Sequence, residues 1–229
     1  MNQGYSGSSV WREGPFVAKA SSDQTFLEEP DRQRDLMALS RHLTLLPHID
    51  RLDQGILYME FVEGHEGLTE HNAQRAGMAL RQLHARHDYP HPCTTGVWWL
   101  IHMANENLAR VNSDYRVDAD LETQYPDDAL IHSEPVQFIE RPDGTIVFID
   151  IEGIGMGSRY HDLGFIYYTA LLRDMPTLFD TFLRGYLSEH ADIALPKVRQ
   201  LAGVIALAYA SFADADKRIR LGLGLLGEA

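Results

Sequence analysis

The period of hydrophobic and polar positions changes along the chain near Gly64. Before it, short apolar runs broken by turn residues predict strands gathered around one helix. "SSVWR" and "PFVAKA" flank "EGP", a turn signal, and read as a hairpin. "DRQRDLMALSRHLTLL" follows, with Leu36, Leu39, Leu43 and Leu46 at helical spacing behind a Pro30–Asp31 start. "HIDRLDQ" and "GILYMEFVEG" predict a second pair of strands. After Gly64 the helical period takes over. "TEHNAQRAGMALRQLHARH" carries Ala73, Ala76, Leu80 and Leu83 on one face behind Thr69 as cap, and from Leu163 the pattern is helical almost to the end. Between these helices, "IHSEPVQFIERPDGTIVFIDIEG" (Ile131 to Gly153) reads as a β-hairpin with acids at both ends. The order predicts an α+β chain of two lobes, a small β-rich lobe with one main helix over 1–63 and a larger helical lobe over 64–229.

Composition narrows the partners. The 229 residues are 45% hydrophobic and 23% charged, enough for one sizeable core or two small lobes. A net charge of −13 argues against a nucleic acid, which attracts a basic face, and favours cations. The acids concentrate in "NSDYRVDADLETQYPDD", Asn112 to Asp128. No apolar run approaches the roughly 20 residues of a membrane span, and the N-terminus has no basic-then-apolar leader pattern, so the expectation is a soluble cytoplasmic protein without a membrane partner. Cys93 is the only cysteine, which fits a reducing compartment. His84 and His87 share a helix face near His91, but no carboxylate or thiol completes a metal pattern. The rings of Trp98 and Trp99 belong to a core or, in part, to a pocket for a cationic ligand. A Gly-x-Ser-x-Gly elbow and a complete P-loop are both missing.

Five stretches, in order, resemble the aminoglycoside phosphotransferase and choline kinase family, which has a protein-kinase-like fold. "GYSGSSVWREGPFVAK" resembles the family's nucleotide loop and lysine-bearing strand, and "LYMEFVEG" its last small-lobe strand and hinge. "AGMALRQLHA" resembles the first large-lobe helix. "HSEPVQF" stands where the family has His-Gly-Asp and a later Asn, and "FIDIEGIGMGSRYHDLGF" is similar to its Ile-Asp-Trp-Glu and Tyr-Asp-Leu. The resemblance implies phosphoryl transfer from ATP with Mg2+ to a hydroxyl of a small molecule, expected to be cationic, in which the protein mainly positions groups and stabilises charge.

It also implies roles for particular residues. Lys19 would neutralise phosphate oxygens, with Gly4 and Gly7 letting the backbone approach them. Glu28, Glu29 and Asp35 are the candidates to hold that lysine, with Asp35 preferred because it lies inside the helix, and Glu60 falls at the nucleotide hinge. Asp150 ends a buried strand and suits Mg2+, which takes one or two carboxylates together with phosphates and water; Glu152 lies on the same side of an extended chain. Asp162 would brace the catalytic loop. Glu134 would orient or deprotonate the acceptor hydroxyl, and Gln137 stands for the metal-binding Asn. Here the chain departs from the family, because the loop is two residues shorter. That withdraws up to roughly 7 Å of chain, whereas each added methylene restores only about 1.3 Å. The departure keeps two alternatives open, a nucleotide-binding pseudokinase and an enzyme of this fold with another transfer chemistry.

Overall fold

A computed structural model gives the fold and describes residues 2–3, 9–20, 29–187, 193–212 and 214–227. The chain forms two compact units, Met1–Gly67 with Gln137–Glu152, and Leu68–Val136 with Gly153–Ala229.

The first unit is built on an antiparallel sheet of β1 (Asn2–Gln3), β2 (Ser9–Glu13), β3 (Phe16–Ala20), β4 (Ile49–Asp53) and β5 (Ile56–Glu60), in the order β1-β2-β3-β5-β4. Gln54 and Gly55 both take positive φ, 49° and 80°, the two-residue turn whose twist suits a hairpin. Helix α1 (Pro30–His42) begins with proline at its first turn, where a missing N–H costs nothing, and buries Leu36 and Leu39. Ser40 fastens it to the sheet by accepting the Ile49 N–H at 3.1 Å.

The hairpin of β8 (Phe138–Glu140) and β9 (Ile146–Phe148) also belongs to this unit, although its place in the chain predicts the other lobe. Two observations explain the difference. β8 pairs with β6 (His65–Glu66), and the Phe148 N–H donates to Leu45 O at 2.8 Å. Gly64 makes the pairing possible, since a Cβ there would sit 2.1 Å from the Glu140 carbonyl oxygen. The boundary expected at residue 63 therefore lies at 67, and the second segment returns to the first unit.

The larger unit is helical: α2 (Ala73–His84), α3 (Val97–Arg110), α4 (Arg159–Leu172), α5 (Pro176–Tyr186), α6 (Leu195–Ala208) and α7 (Ala215–Gly227) among the described residues. Thr69 and Asn72 bond to each other in a turn ahead of α2, so the helix starts at Ala73, four residues after the expected cap. Helix α6 is buried on nearly every side from Leu201 onward and packs against α3, α4 and α7, as its run of apolar residues from Leu201 to Ala208 requires. A short ladder of β7 (Ala129–Ile131) and β10 (Gly155–Gly157) completes the unit. Among the described residues no helix is long and apolar enough to cross a membrane.

Candidate functional site

Within the first unit, β3 and the hairpin converge on one lysine. Lys19 lies between Val10 and Leu57 in the sheet register, and its side chain is almost wholly buried. Burying an ammonium group is costly unless it is paired. Two carboxylates pair it: Asp150 accepts a hydrogen bond from Nζ, and Glu152 Oε1 lies 2.7 Å away. The backbone explains how two acids two residues apart reach one cation. Asp150 takes φ +64°, a left-handed conformation that aspartate tolerates better than most residues, and the chain then winds into the short 3-10 segment Ile151–Gly153.

The two carboxylates differ in exposure, 41% for the Asp150 side chain and 11% for Glu152. Both Glu152 oxygens are buried without a hydrogen bond, although Oε1 forms an ion pair with Nζ. Two negative charges thus face one positive charge, with acceptor sites unfilled. That donor set fits a divalent hard cation, which would fill the lone pairs and offset the extra charge. Among the described residues no group of three or more His, Cys, Asp or Glu forms a protein-only metal cage, so a metal here would keep water or phosphate ligands, as Mg2+ does. Gln137 lies nearby along the hairpin: its carbonyl accepts the Ile149 N–H at 2.9 Å, directly across from the residue before Asp150.

The other expected residues of this unit fall elsewhere. Asp35 pairs with its neighbour Arg34 at 3.1 Å, while Lys19 is held by Asp150 and Glu152. Glu60 forms an ion pair with Arg141. Gly4, Gly7 and Glu28 lie outside the described residues.

In the larger unit, β7 delivers the chain into His132-Ser133-Glu134. Asp162, fully buried in the first turn of α4, accepts the backbone N–H groups of His132 at 2.8 Å and Ser133 at 2.9 Å. His84 approaches the same carboxylate with Nε2 at 3.0 Å, and its Nδ1 lies 2.8 Å from the Tyr186 hydroxyl. Burial alone would push the Asp162 carboxyl up. The hydrogen bond from His84, the charges of His84 and His161 and the His132 N–H outweigh it and hold the group below the usual carboxylate range. His161 is buried beside it, and desolvation pushes its imidazole down to about 4 against the opposing pull of Asp162.

Asp162 therefore braces the loop, the role the resemblance implies, and His84 serves that brace. Ser133 takes φ +78°, where the family pattern has glycine, and Gly153 leaves room for it: a Cβ at Gly153 would lie 2.5 Å from Ser133 Oγ. Glu134 is half-buried and accepts a hydrogen bond from the Tyr209 hydroxyl on Oε1 at 2.7 Å. Sequence reasoning missed Tyr209 and Tyr186, which lie 75 and 102 residues from the partners they touch. Only the buried period of the helices that carry them hints that their hydroxyls need partners.

Two further features of the sequence meet in this unit. A cavity of about 370 Å³ is lined by the Trp98 and Tyr125 rings and by Glu122 and Asp127 of the acidic stretch, with no Lys or Arg in its wall. Trp98 is half exposed, whereas Trp99 packs on the core. Burial and then the charge of Asp128 push the Asp127 carboxyl up.

No protein-family model matches the sequence, and no curated protein matches it. Solved structures do. A choline/ethanolamine kinase family protein from Mesorhizobium loti is 16% identical, with a TM-score of 0.67 over 97% of this chain and 86% of that one. A choline kinase from Streptococcus pneumoniae gives 16% identity and a TM-score of 0.67 over 97% and 90%. A spectinomycin phosphotransferase solved with ADP and spectinomycin gives 14% identity and a TM-score of 0.54 over 96% and 88%. The chain thus has the kinase-like α+β fold shared by choline/ethanolamine kinases and antibiotic phosphotransferases.

Proposed function

We propose that the chain is a phosphotransferase that moves the γ-phosphoryl group of ATP to a hydroxyl of a small cationic molecule. The observation that carries the reading is the buried Lys19 held between Asp150, which accepts its hydrogen bond, and Glu152, whose two buried oxygens have none. A lysine on β3 and paired acids just beyond β9 are what a metal-bound polyphosphate requires. The naming of choline, ethanolamine and spectinomycin in the similar structures supports a hydroxyl acceptor carried by an amine. The aromatic and acidic cavity at Trp98, Glu122 and Asp127 supports a positive charge on it.

In this reading Lys19 binds phosphate oxygens, and Asp150 and Glu152, with Gln137, hold Mg2+, which when bound neutralises phosphate charge. Glu134 accepts the acceptor's hydroxyl proton on Oε2, its other oxygen being taken by Tyr209. As that proton leaves, the acceptor oxygen bonds to the γ-phosphorus and the bond to the bridging oxygen breaks, releasing ADP. Asp162 keeps the loop in place by taking two of its backbone N–H groups.

Calorimetric titration with ATP, with and without Mg2+, tests the site. Asp150→Ala should abolish the Mg2+-dependent part of binding, and Lys19→Ala should weaken binding with or without the metal. Wild-type affinity in both variants would remove the assignment.

A further inference from the structure

The catalytic loop is shorter than the family pattern and its acid is longer, so Glu134 carries one more rotatable bond than an aspartate would. A longer arm holds its end less firmly unless something fixes it. One hydroxyl is in position to do so. Tyr209 is the residue that caps α6, its N–H bonded to Ile205 O and Leu207 O. Its ring is boxed by three others, Phe165 at 5.4 Å and Phe212 at 5.5 Å between centroids and Trp99 at 6.1 Å. Two of the three contacts are edge-to-face, an arrangement that resists rotation of the ring. The direction of the hydroxyl is thereby set by the helix end and the rings, and it points at Glu134 Oε1 from 2.7 Å.

We infer that Tyr209 is a positioning residue for Glu134: it pins Oε1 and leaves Oε2 turned toward the acceptor hydroxyl. This rests on the reading of Glu134 as the base. The hydroxyl also compensates for the altered loop. Where the family pattern has a longer loop and a shorter acid, here a shorter loop carries a longer acid, fixed at its far end by a phenol from the end of α6. Burial, then the negative charge of Glu134 and the bond to it, push the Tyr209 phenol well above its usual range, so it stays a donor throughout the neutral range.

Tyr209→Phe keeps the ring in its box and removes only the hydroxyl. With the full chain, Mg-ATP and whichever acceptor proves active, it should lower kcat about tenfold or more and leave the KM for ATP unchanged, because a misdirected base loses orientation and not nucleotide binding. In a Glu134→Gln background the same change should cost nothing further, the non-additivity expected of two residues acting through one contact. Equal losses in both backgrounds, or an unchanged kcat, would overturn the inference. A second measurement needs no activity. With tyrosine labelled at 13Cζ, the signal that vanishes in Tyr209→Phe should move when Glu134 is changed to Ala. An unmoved signal also overturns the inference. If no acceptor is phosphorylated, the base assignment fails, and the labelled spectrum alone decides whether Tyr209 holds Glu134.

Discussion

Ser133 holds φ +78° in the middle of the loop that presents Glu134. Residues with a Cβ are strained there by about 1–3 kcal/mol, whereas glycine is not, although glycine gives back part of the gain by loosening the unfolded chain. Ser133→Gly is therefore expected to raise stability by about 0.5–1 kcal/mol in urea unfolding. A fall in stability would show that the serine side chain contributes more than its strain costs. Asp150 stores a similar strain at φ +64°, but there the side chain has a partner in Lys19. At this scale the sequence was partly legible. The pairing of Asp150 with a buried strand end could be read from "TIVFID". The partner of Lys19 could not, because the left-handed turn that brings Glu152 back to it leaves no mark in residue type. The preference for Asp35 followed from helix membership, yet Asp35 pairs with Arg34.

Elements meet most closely where α2 crosses α5. A Cβ at Gly185 would lie 1.9 Å from Gln74 O, and one at Gly77 would lie 2.1 Å from Phe182 O, so each helix needs its glycine opposite the other's backbone. Alanine is worth about 1 kcal/mol over glycine in a helix interior, but forcing two backbones apart costs about 2–3 kcal/mol, so the clash wins. Gly185→Ala should destabilise the protein by the difference or more. Gly224→Ala in α7, where a Cβ meets nothing within 4 Å, should stabilise it by about 0.5–1 kcal/mol. The same unfolding experiment reads both signs, and two changes in one direction would contradict the packing argument. The helices themselves were legible from their apolar period. Their mutual approach was not, since a glycine at a crossing and a glycine on an exposed face look alike in one sequence. The hairpin of β8 and β9 was legible as a hairpin, but its unit was not, because it depends on the pairing of β8 with β6, more than 70 residues away in the chain.

Across the whole molecule, the order of β-rich and helical regions was readable because each pattern is local, whereas the brace that Asp162 and His84 give the His132–Glu134 loop joins residues distant in sequence. That brace has a pH signature. His161 sits at about 4 in the folded chain against 6.5 when free. Below about pH 6.5 the unfolded chain takes up a proton that the folded chain refuses, so stability should fall as pH drops from 6.5 toward 4, by about 3 kcal/mol in all. The depressed Asp162 carboxyl acts lower: its contribution is present above the ordinary value of 3.8 and is lost as pH falls through its folded value. Unfolding free energies across this range should therefore decline with acid, and His161→Gln should flatten the decline above pH 4. A wild type with level stability from pH 6.5 to 4 would mean that His161 is not held neutral.

The measurement that tests the central claim most directly is ATP turnover with Mg2+ across a panel of choline-like amines, aminoglycosides, sugars and nucleosides, with products identified by mass and with Glu134→Gln run beside the wild type. The expected result is one phosphorylated cationic alcohol whose formation falls about a hundred- to ten-thousandfold in Glu134→Gln while nucleotide affinity changes little. A wild type that binds ATP yet phosphorylates nothing in the panel, or a Glu134→Gln variant that turns over as fast as the wild type, would contradict it.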